Sequence, residues 1–445
     1  MEKKLKICVL NGSPKGNNSV TLQTVLFLEK KFSNCTFEVL NISQKIKYYE
    51  KKFDEIEESI SSADVLLFAY PVYTFLAPSQ LHKFISLLKE RNLDLTTKFA
   101  TQITTSKHFY DISAHNYIED NCHDLGLKVI KGLSADMDDL TKSSGQNDAV
   151  LFMNYVCDCV ENDRYELSNK IVSNVKTYER SFKSVVKKDK YKTLILTDVT
   201  DEETGVLNMI EDFKAIYPYE TQTINIREYP FTGGCLGCFK CSINGHCMYK
   251  DGFEDFLRNQ IQTADSIIYA FSIKDHSMGH IFKCYDDRQF CNGHRFMTVG
   301  MPIGYLVHGN IDLETNLKFV IESRAEVGHN FLSGIAVDNV SLKLMVSKLL
   351  YSLDNKYYLP QNFYGVGGRK IFRDLIFVMR GLMKEDHKFY KKTGVYDDLP
   401  QRSKGKMIFI SLFGLVLTNK KLKKKMENKM NEYILMPYKK VIEKA

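Results

Sequence analysis

No stretch of this 445-residue chain is apolar for the length a membrane helix needs. The nearest candidate, Met407 to Leu417, is 11 residues long, about half of the roughly 20 required. Arginine is scarce, at 12 of 61 basic residues. Bidentate recognition of phosphates and bases favours arginine, so nucleic acid is not an expected partner. There is no Gly-Lys-Ser/Thr of a Walker A loop, no GxGxxG, and no Ser/His/Asp or paired-carboxylate constellation. Near the start only Ile7-Cys8-Val9-Leu10 is continuously apolar before Asn11-Gly12. That is too short for a signal-peptide core, and the expectation is a cytoplasmic protein.

What is present is ordinary globular composition, 44% hydrophobic and 26% charged, which excludes disordered and collagen-like classes. The length predicts two or three domains. The net charge of +7 is local: Lys406 to Ala445 holds ten Lys against three Glu, so the rest is neutral. A basic tail beside an apolar run suits a helix packed on the second domain with a solvated end, or peripheral contact with an anionic membrane. The eleven cysteines, in a reducing compartment, suggest metal or redox ligands before disulfides.

From the N-terminus, short apolar runs alternate with amphipathic segments. Strands are predicted at Lys6 to Leu10, Thr36 to Ile42, Asp64 to Tyr70, Phe99 to Thr104 and Leu127 to Leu133. Helices are predicted at Val20 to Phe32, Phe53 to Ser62, Ser79 to Glu90 and Ile112 to Leu125. This order implies a doubly wound parallel sheet.

The pattern then recurs. Lys192 to Leu196 matches Lys6 to Leu10 at an offset of 186, and Ala264 to Ala270 matches Ala63 to Ala69 at an offset of 201, so 15 residues have been inserted between. Further strands fit Phe296 to Val307 and Phe331 to Val337, and helices fit Val340 to Leu353 and Lys370 to Met383. The expected organisation is an α/β domain over 1–160, a helical linker over 161–190, a second α/β domain over 191–340, and a helical extension with a basic tail over 341–445.

Two loops carry the chemistry. The first strand runs into Asn11-Gly12-Ser13-Pro14-Lys15-Gly16-Asn17-Asn18-Ser19-Val20-Thr21 before a helix. Backbone N–H groups and the helix dipole there suit a phosphate, and a flavin phosphate fits better than ATP or NAD. This segment, with Tyr70-Pro71-Val72-Tyr73 after the third strand, resembles the flavodoxin-like NADPH-dependent FMN reductases, including the iron–sulfur flavoproteins. The resemblance implies two tandem flavodoxin-like sheets with a C-terminal helical extension. It also implies FMN phosphate held by Ser13, Lys15, Asn17, Asn18 and Ser19, to which Thr21 can add a hydroxyl donor, with the flavin ring bordered by Pro71, Val72, Tyr73 and Thr74. NAD(P)H would be the electron donor, the acceptor is not specified, and a homo-oligomer is the default.

The second loop is Cys235, Cys238, Cys241 and Cys247, spaced C-x2-C-x2-C-x5-C within the insertion. Three consecutive steps of three wrap a compact group, as in ferredoxin-type motifs. The readings are a 4Fe–4S cluster, zinc or no metal. The second copy lacks the phosphate loop: Thr197-Asp198-Val199-Thr200-Asp201-Glu202-Glu203 places four carboxylates before its helix. It is expected to carry the cluster and an interface and not to bind FMN in the usual way. Tyr285-Asp286-Asp287-Arg288 resembles the family's Asp-Arg and reads as structural, and His276 as a surface residue. The overall expectation is a flavin-dependent oxidoreductase passing electrons from NAD(P)H through FMN. The competing expectation is a non-catalytic flavodoxin-like binding or membrane-surface protein without a cluster.

Overall fold

The structure is a computed structural model describing residues 4–168, 177–400, 403–416 and 435. It divides into two compact units, Met1–His387 and Lys388–Ala445. The larger holds two parallel sheets.

The first domain runs β1 (Leu5–Asn11), α1 (Val20–Lys31), β2 (Cys35–Leu40), α2 (Ile46–Tyr49), α3 (Asp54–Ser62), β3 (Val65–Pro71), α4 (Ser79–Glu90), β4 (Phe99–Ser106), α5 (Asp111–Asp124), β5 (Lys128–Val129), β6 (Leu133–Asp136) and α6 (Ser143–Glu161). Its strand order is β2-β1-β3-β4-β5, with β6 also on β4, and every pairing is parallel. This is the flavodoxin-like order. Successive strand residues face opposite sides. Cys8, Leu10, Leu66 and Phe68 therefore pack with Phe84, Leu88 and Tyr117 on one face. Ile7, Val9, Val65 and Leu67 pack with Val25, Leu28, Met153 and Val156 on the other.

The second domain runs β7 (Lys188–Thr197), α7 (Thr204–Ile216), β8 (Tyr219–Asn225), α8 (Lys240–Asn244), α9 (Phe253–Phe256), β9 (Ser266–Ser272), α10 (Gly279–Arg288), β10 (Pro302–His308), α11 (Thr315–Gly328) and β11 (Phe331–Ala336). The order β11-β10-β9-β7-β8 repeats that of the first sheet. The repeat extends to single hydrogen bonds. The Lys6 N–H donates to the Asp64 carboxylate at 2.9 Å, and the Lys192 N–H to that of Asp265 at 2.8 Å.

The chain continues through α12 (Asn339–Asn355), α13 (Phe363–Val378), α14 (Lys384–Lys392) and α15 (Lys404–Val416). α12 was expected in the extension. Its Leu342, Met345 and Leu349 instead pack with Ile268 and Met209 of the second domain, the layer that α6 supplies in the first.

Four local expectations change, the first being that the strand expected from Phe296 to Val307 begins only at Pro302. The segment expected as one strand, Leu127 to Leu133, is two short strands; at the break Gly132 lies so close to Gln102 that a Cβ there would collide with it. Beyond Glu161 the linker is not helical over its described residues, 162–168 and 177–190. Its polar backbone is taken by the second domain instead: the Ser181 and Phe182 N–H groups donate to the buried Asp212 carboxylate, and the Val185 N–H to the Ala215 carbonyl. The predicted helix Lys370 to Met383 begins earlier, at Phe363, where the Asn362 side chain accepts from the Tyr364 N–H as N-cap. The lysine cluster of the tail lies outside the described residues, and no described helix is long and apolar enough to cross a membrane.

Candidate functional site

The loop after β1 is built on Asn11, which is fully buried. Its Nδ2 donates to the Gly16 carbonyl (3.1 Å) and to Asn41 Oδ1 (2.8 Å), and its Oδ1 accepts from the Ser13 N–H (3.2 Å). The Gly12 N–H donates to the Ala69 carbonyl at 2.8 Å. A Cβ at Gly12 would stand 2.6 Å from Leu81, so only glycine lets the loop approach α4. Ser19 is the N-cap of α1, its hydroxyl accepting from the Leu22 N–H, and the Thr21 and Thr105 hydroxyls meet at 2.6 Å. The loop therefore keeps its shape without a ligand, and the N-terminus of α1 opens beside it.

After β3, Tyr73 and Leu76 close a two-residue turn through Tyr73 N–H to Leu76 O (2.8 Å) and Leu76 N–H to Tyr73 O (3.1 Å). Thr74 and Phe75 both have positive φ, 43° and 73°. This is the turn that asparagine and glycine usually fill, so two ordinary side chains are held here under strain. The second domain repeats it at Lys274 to Ser277, with Asp275 at 51° and His276 at 57°.

Both loops border one cavity of about 200 Å³. Of the residues expected around flavin, Ser13, Lys15, Ser19, Thr21, Pro71, Val72, Tyr73 and Thr74 line it, and Asn17 and Asn18 do not. Asn17 is turned to Asn41, whose amide donates to its Oδ1 at 2.9 Å. Cys235, Cys238, Cys241 and Cys247, all from the second domain, line the same cavity.

The cysteine segment is fixed from both domains. Lys47 Nζ donates to the Thr232 carbonyl (2.6 Å), and Gly234 lies against Ser79 and Gln80 at the start of α4. Gly237, at φ +61°, leaves no room for a Cβ beside the Tyr73 hydroxyl, and its N–H donates to Cys235 Sγ at 3.4 Å. Arg288 ties the two ends of the segment together. Its Nη1 donates to the Gly233 carbonyl (3.0 Å), and both Nη atoms reach the Asp251 carboxylate at 2.8 Å. The guanidinium lies over Tyr249 and Phe253, 4.5 and 4.9 Å from their ring centres. Burial pushes the Cys241 thiol up to about 11 and raises that of Cys235 further. Among the described residues no three Cys, His, Asp or Glu side chains are grouped so as to hold a metal ion.

Several cavity residues were not picked out from the sequence. Thr105 and Ser106 end β4 and Lys107 follows it, and Phe372 and Leu375 come from α13. The strand-end position of the first three could have flagged them, whereas nothing local marks the last two. His294 also lines the cavity. Its Nδ1 is 3.0 Å from an oxygen of Asp386, which is fully buried, and its ring meets Phe372 edge-on. His276, read as a surface residue, instead lies between Glu314 (2.8 Å) and Asp124 (2.9 Å).

The corresponding place in the second domain is filled by its own side chains. Lys274, the counterpart of Tyr73 at the offset of 201, reaches Asp198 and Glu203 at 3.1 Å each. Asp198 is buried, and that burial raises its pKa despite the lysine.

Residues 5–151 match the family model described as NADPH-dependent FMN reductase. No curated protein matches the chain. Among solved structures, it is similar to an FMN-dependent NADH-azoreductase from Bacillus anthracis str. Ames Ancestor in complex with FMN, at 16% identity, covering 36% of this chain and 99% of that one with a TM-score of 0.27. It is similar to an NAD(P)H:quinone oxidoreductase from Methanothermobacter marburgensis at 14% identity, over 38% and 100% of the two chains, with a TM-score of 0.28. A Trp repressor binding protein from Bacillus subtilis is similar at 20% identity, over 33% and 97%, with a TM-score of 0.27.

Proposed function

We propose that the chain is an NAD(P)H-dependent flavin oxidoreductase that holds FMN in this cavity and passes electrons to a separate acceptor. The observation that carries the reading is that the phosphate-type loop, the strained turn after β3 and the four-cysteine segment all line one cavity. FMN, when bound, supplies the hydride and single-electron chemistry.

The chain's own residues bind and position it. Ser13, Ser19, Thr21 and the N-terminus of α1 take the phosphate, with Lys15 as counter-charge. Pro71, Val72, Tyr73 and Thr74 border the ring, and the strained turn fixes where that border stands. Phe290, Phe372 and Leu375 add apolar lining to the cavity, Phe290 edge-on to Tyr73. His294, whose Nδ1 meets the Asp386 carboxylate, lines the same cavity beside these residues.

Cys235, Cys238, Cys241 and Cys247 would hold a 4Fe–4S cluster, supplying one-electron chemistry beside the flavin. Their spacing and their shared cavity support this, and closing the cage requires the thiols to converge further than they do here. Anaerobic purification with iron, zinc and FMN measured per chain tests the reading. Expected are one FMN and about four irons, with Cys238→Ala losing iron and keeping flavin. Flavin without iron would reduce the proposal to a plain flavin oxidoreductase. A chain that takes up no FMN would favour a non-catalytic binding role.

A further inference from the structure

We propose that Cys35 and Cys157 form a reversible disulfide, a peroxide-sensitive modification site on the first domain, away from the cavity. Their Sγ atoms lie 3.9 Å apart although 122 residues separate them in sequence. Among the described residues no other two thiols are in hydrogen-bond contact. Cys35 is the first residue of β2, the edge strand, and so sits at the end of the sheet opposite the loops that line the cavity. Cys157 lies on α6, and both belong to the apolar cluster that α6 makes with the sheet.

Geometry and reactivity agree. A disulfide needs the sulfurs about 2 Å closer, a movement within reach of side-chain rotation in two adjoining elements. The sequence neighbour Cys159 is no rival, because residues two apart on a helix do not face each other. Cys157 is half-buried and Cys35 is 7% exposed, so an oxidant reaches Cys157 first. The hydrogen bond from Cys35 favours the Cys157 thiolate, lowering its pKa, and correspondingly raises that of Cys35.

The Cys157 thiolate attacks the O–O bond of a peroxide, giving a sulfenic acid and releasing water. The Cys35 sulfur then displaces the hydroxyl from Cys157 as a second water. Two thiols and one hydrogen peroxide thus become one disulfide and two waters, and a dithiol returns the electrons. In a reducing compartment such a pair is transient and responsive, not a permanent staple. Closed, it ties β2 to α6, which packs on α1 behind the phosphate-type loop, and so restrains the unfolded chain over a long loop.

The experiment treats the full-length protein, with whatever cofactors it carries, with hydrogen peroxide. The remaining thiols are alkylated and peptides are mapped by mass spectrometry, so the cavity cysteines are read separately. Expected are a Cys35–Cys157 linked peptide lighter by two hydrogens, loss of two alkylatable thiols, reversal by dithiothreitol and a higher melting temperature when oxidised. In Cys157→Ser, a conservative change at the more exposed partner, Cys35 should stay alkylatable and oxidation should no longer raise the melting temperature. The proposal is overturned if Cys157 ends as sulfinic acid with Cys35 still free, if it links to a different cysteine, or if neither thiol reacts. None of these outcomes depends on flavin or metal being present.

Discussion

The Ser86 hydroxyl donates a hydrogen bond to the Asp275 carboxylate at 2.6 Å, and the internal repeat maps this pair onto Asp287 and Thr74. Adding the offset of 201 turns Ser86 into Asp287 and Thr74 into Asp275, and the Thr74 hydroxyl is 3.5 Å from the Asp287 carboxylate. Each domain's α4-type helix thus holds the strained turn of the other, and the chain is paired with itself about a local two-fold. The two halves of the pairing are chemically unequal. Asp287 also accepts from the Ser79 N–H at 2.8 Å and pairs with Lys283, whose Nζ donates to the Tyr73 carbonyl at 2.7 Å. Asp275 pairs with Lys89 at 3.1 Å, but both are about a fifth exposed, whereas Lys283 and Asp287 are buried; the buried half braces the turn beside the cavity.

That asymmetry predicts a pH dependence. Asp287 is fully buried, and burial, opposed by Lys283, pushes its carboxyl up to about 6 from 3.8. The folded state therefore holds this proton more tightly than the unfolded chain, and the group's contribution worsens as pH rises from about 4 to about 6. Across pH 5 to 7 the difference is about 1 kcal/mol. Wild type should gain stability relative to Asp287→Asn on going from pH 7 to pH 5, read as the difference in melting temperature. A parallel pH dependence in the two proteins would remove Asp287 as its source.

Ser19→Asp separates phosphate binding from folding. Aspartate caps a helix as well as serine, so α1 and the melting temperature should be little changed. A carboxylate beside an incoming phosphate costs on the order of 3 kcal/mol, roughly a hundredfold in affinity. FMN content after gel filtration, with titration by added FMN, reads the effect, and unaltered affinity would move the phosphate elsewhere.

Arg288→Ala should release the cysteine segment. It removes the bidentate pair with Asp251 and the tie to Gly233, leaving a carboxylate only 8% exposed without its partner. Such a loss costs about 3 to 5 kcal/mol. The finer readout is local: alkylation of Cys235 should accelerate well before global unfolding, whereas Cys122, buried in the first core, should keep its wild-type rate. Equal acceleration at both would mean general destabilisation.

Much of this arrangement was legible because its signals are local. The strand and helix periods, the Asn11 to Thr21 loop and the divergent repeat are patterns within a few residues, and α4 begins and ends where its apolar spacing does. α6 was not picked out, although Ala149, Phe152, Met153 and Val156 form a helical stripe that could have marked it. The convergence of two domains on one cavity was not legible. It depends on α4 packing against α10, and the residues that set it, Ser86, Asp275 and Lys283, are ordinary polar residues in sequence. The linker failed for a related reason: its charged, glycine-free composition suits a helix, but Asp212 and the backbone of α7 offer partners that only the folded domain contains.

Lys274 tests whether the second domain kept a latent flavin site. Its ammonium lies between Asp198 and Glu203, in the domain whose turn and strand order copy the first. If these charges merely plug a competent site, Lys274→Ala should admit a second FMN. Nothing else there favours that outcome: Asp198 is 1% exposed, and with the lysine gone two carboxylates remain where a phosphate would have to sit. The expected result is a loss of stability, because the buried Asp198 keeps only Arg227, at 3.9 Å, as a cationic partner, partly recovered at acidic pH as Asp198 takes up a proton, with FMN still at one per chain. Two FMN per chain in Lys274→Ala would show that a single residue separates the copies, and would make the four-cysteine segment the cover of one flavin site in a chain built with two.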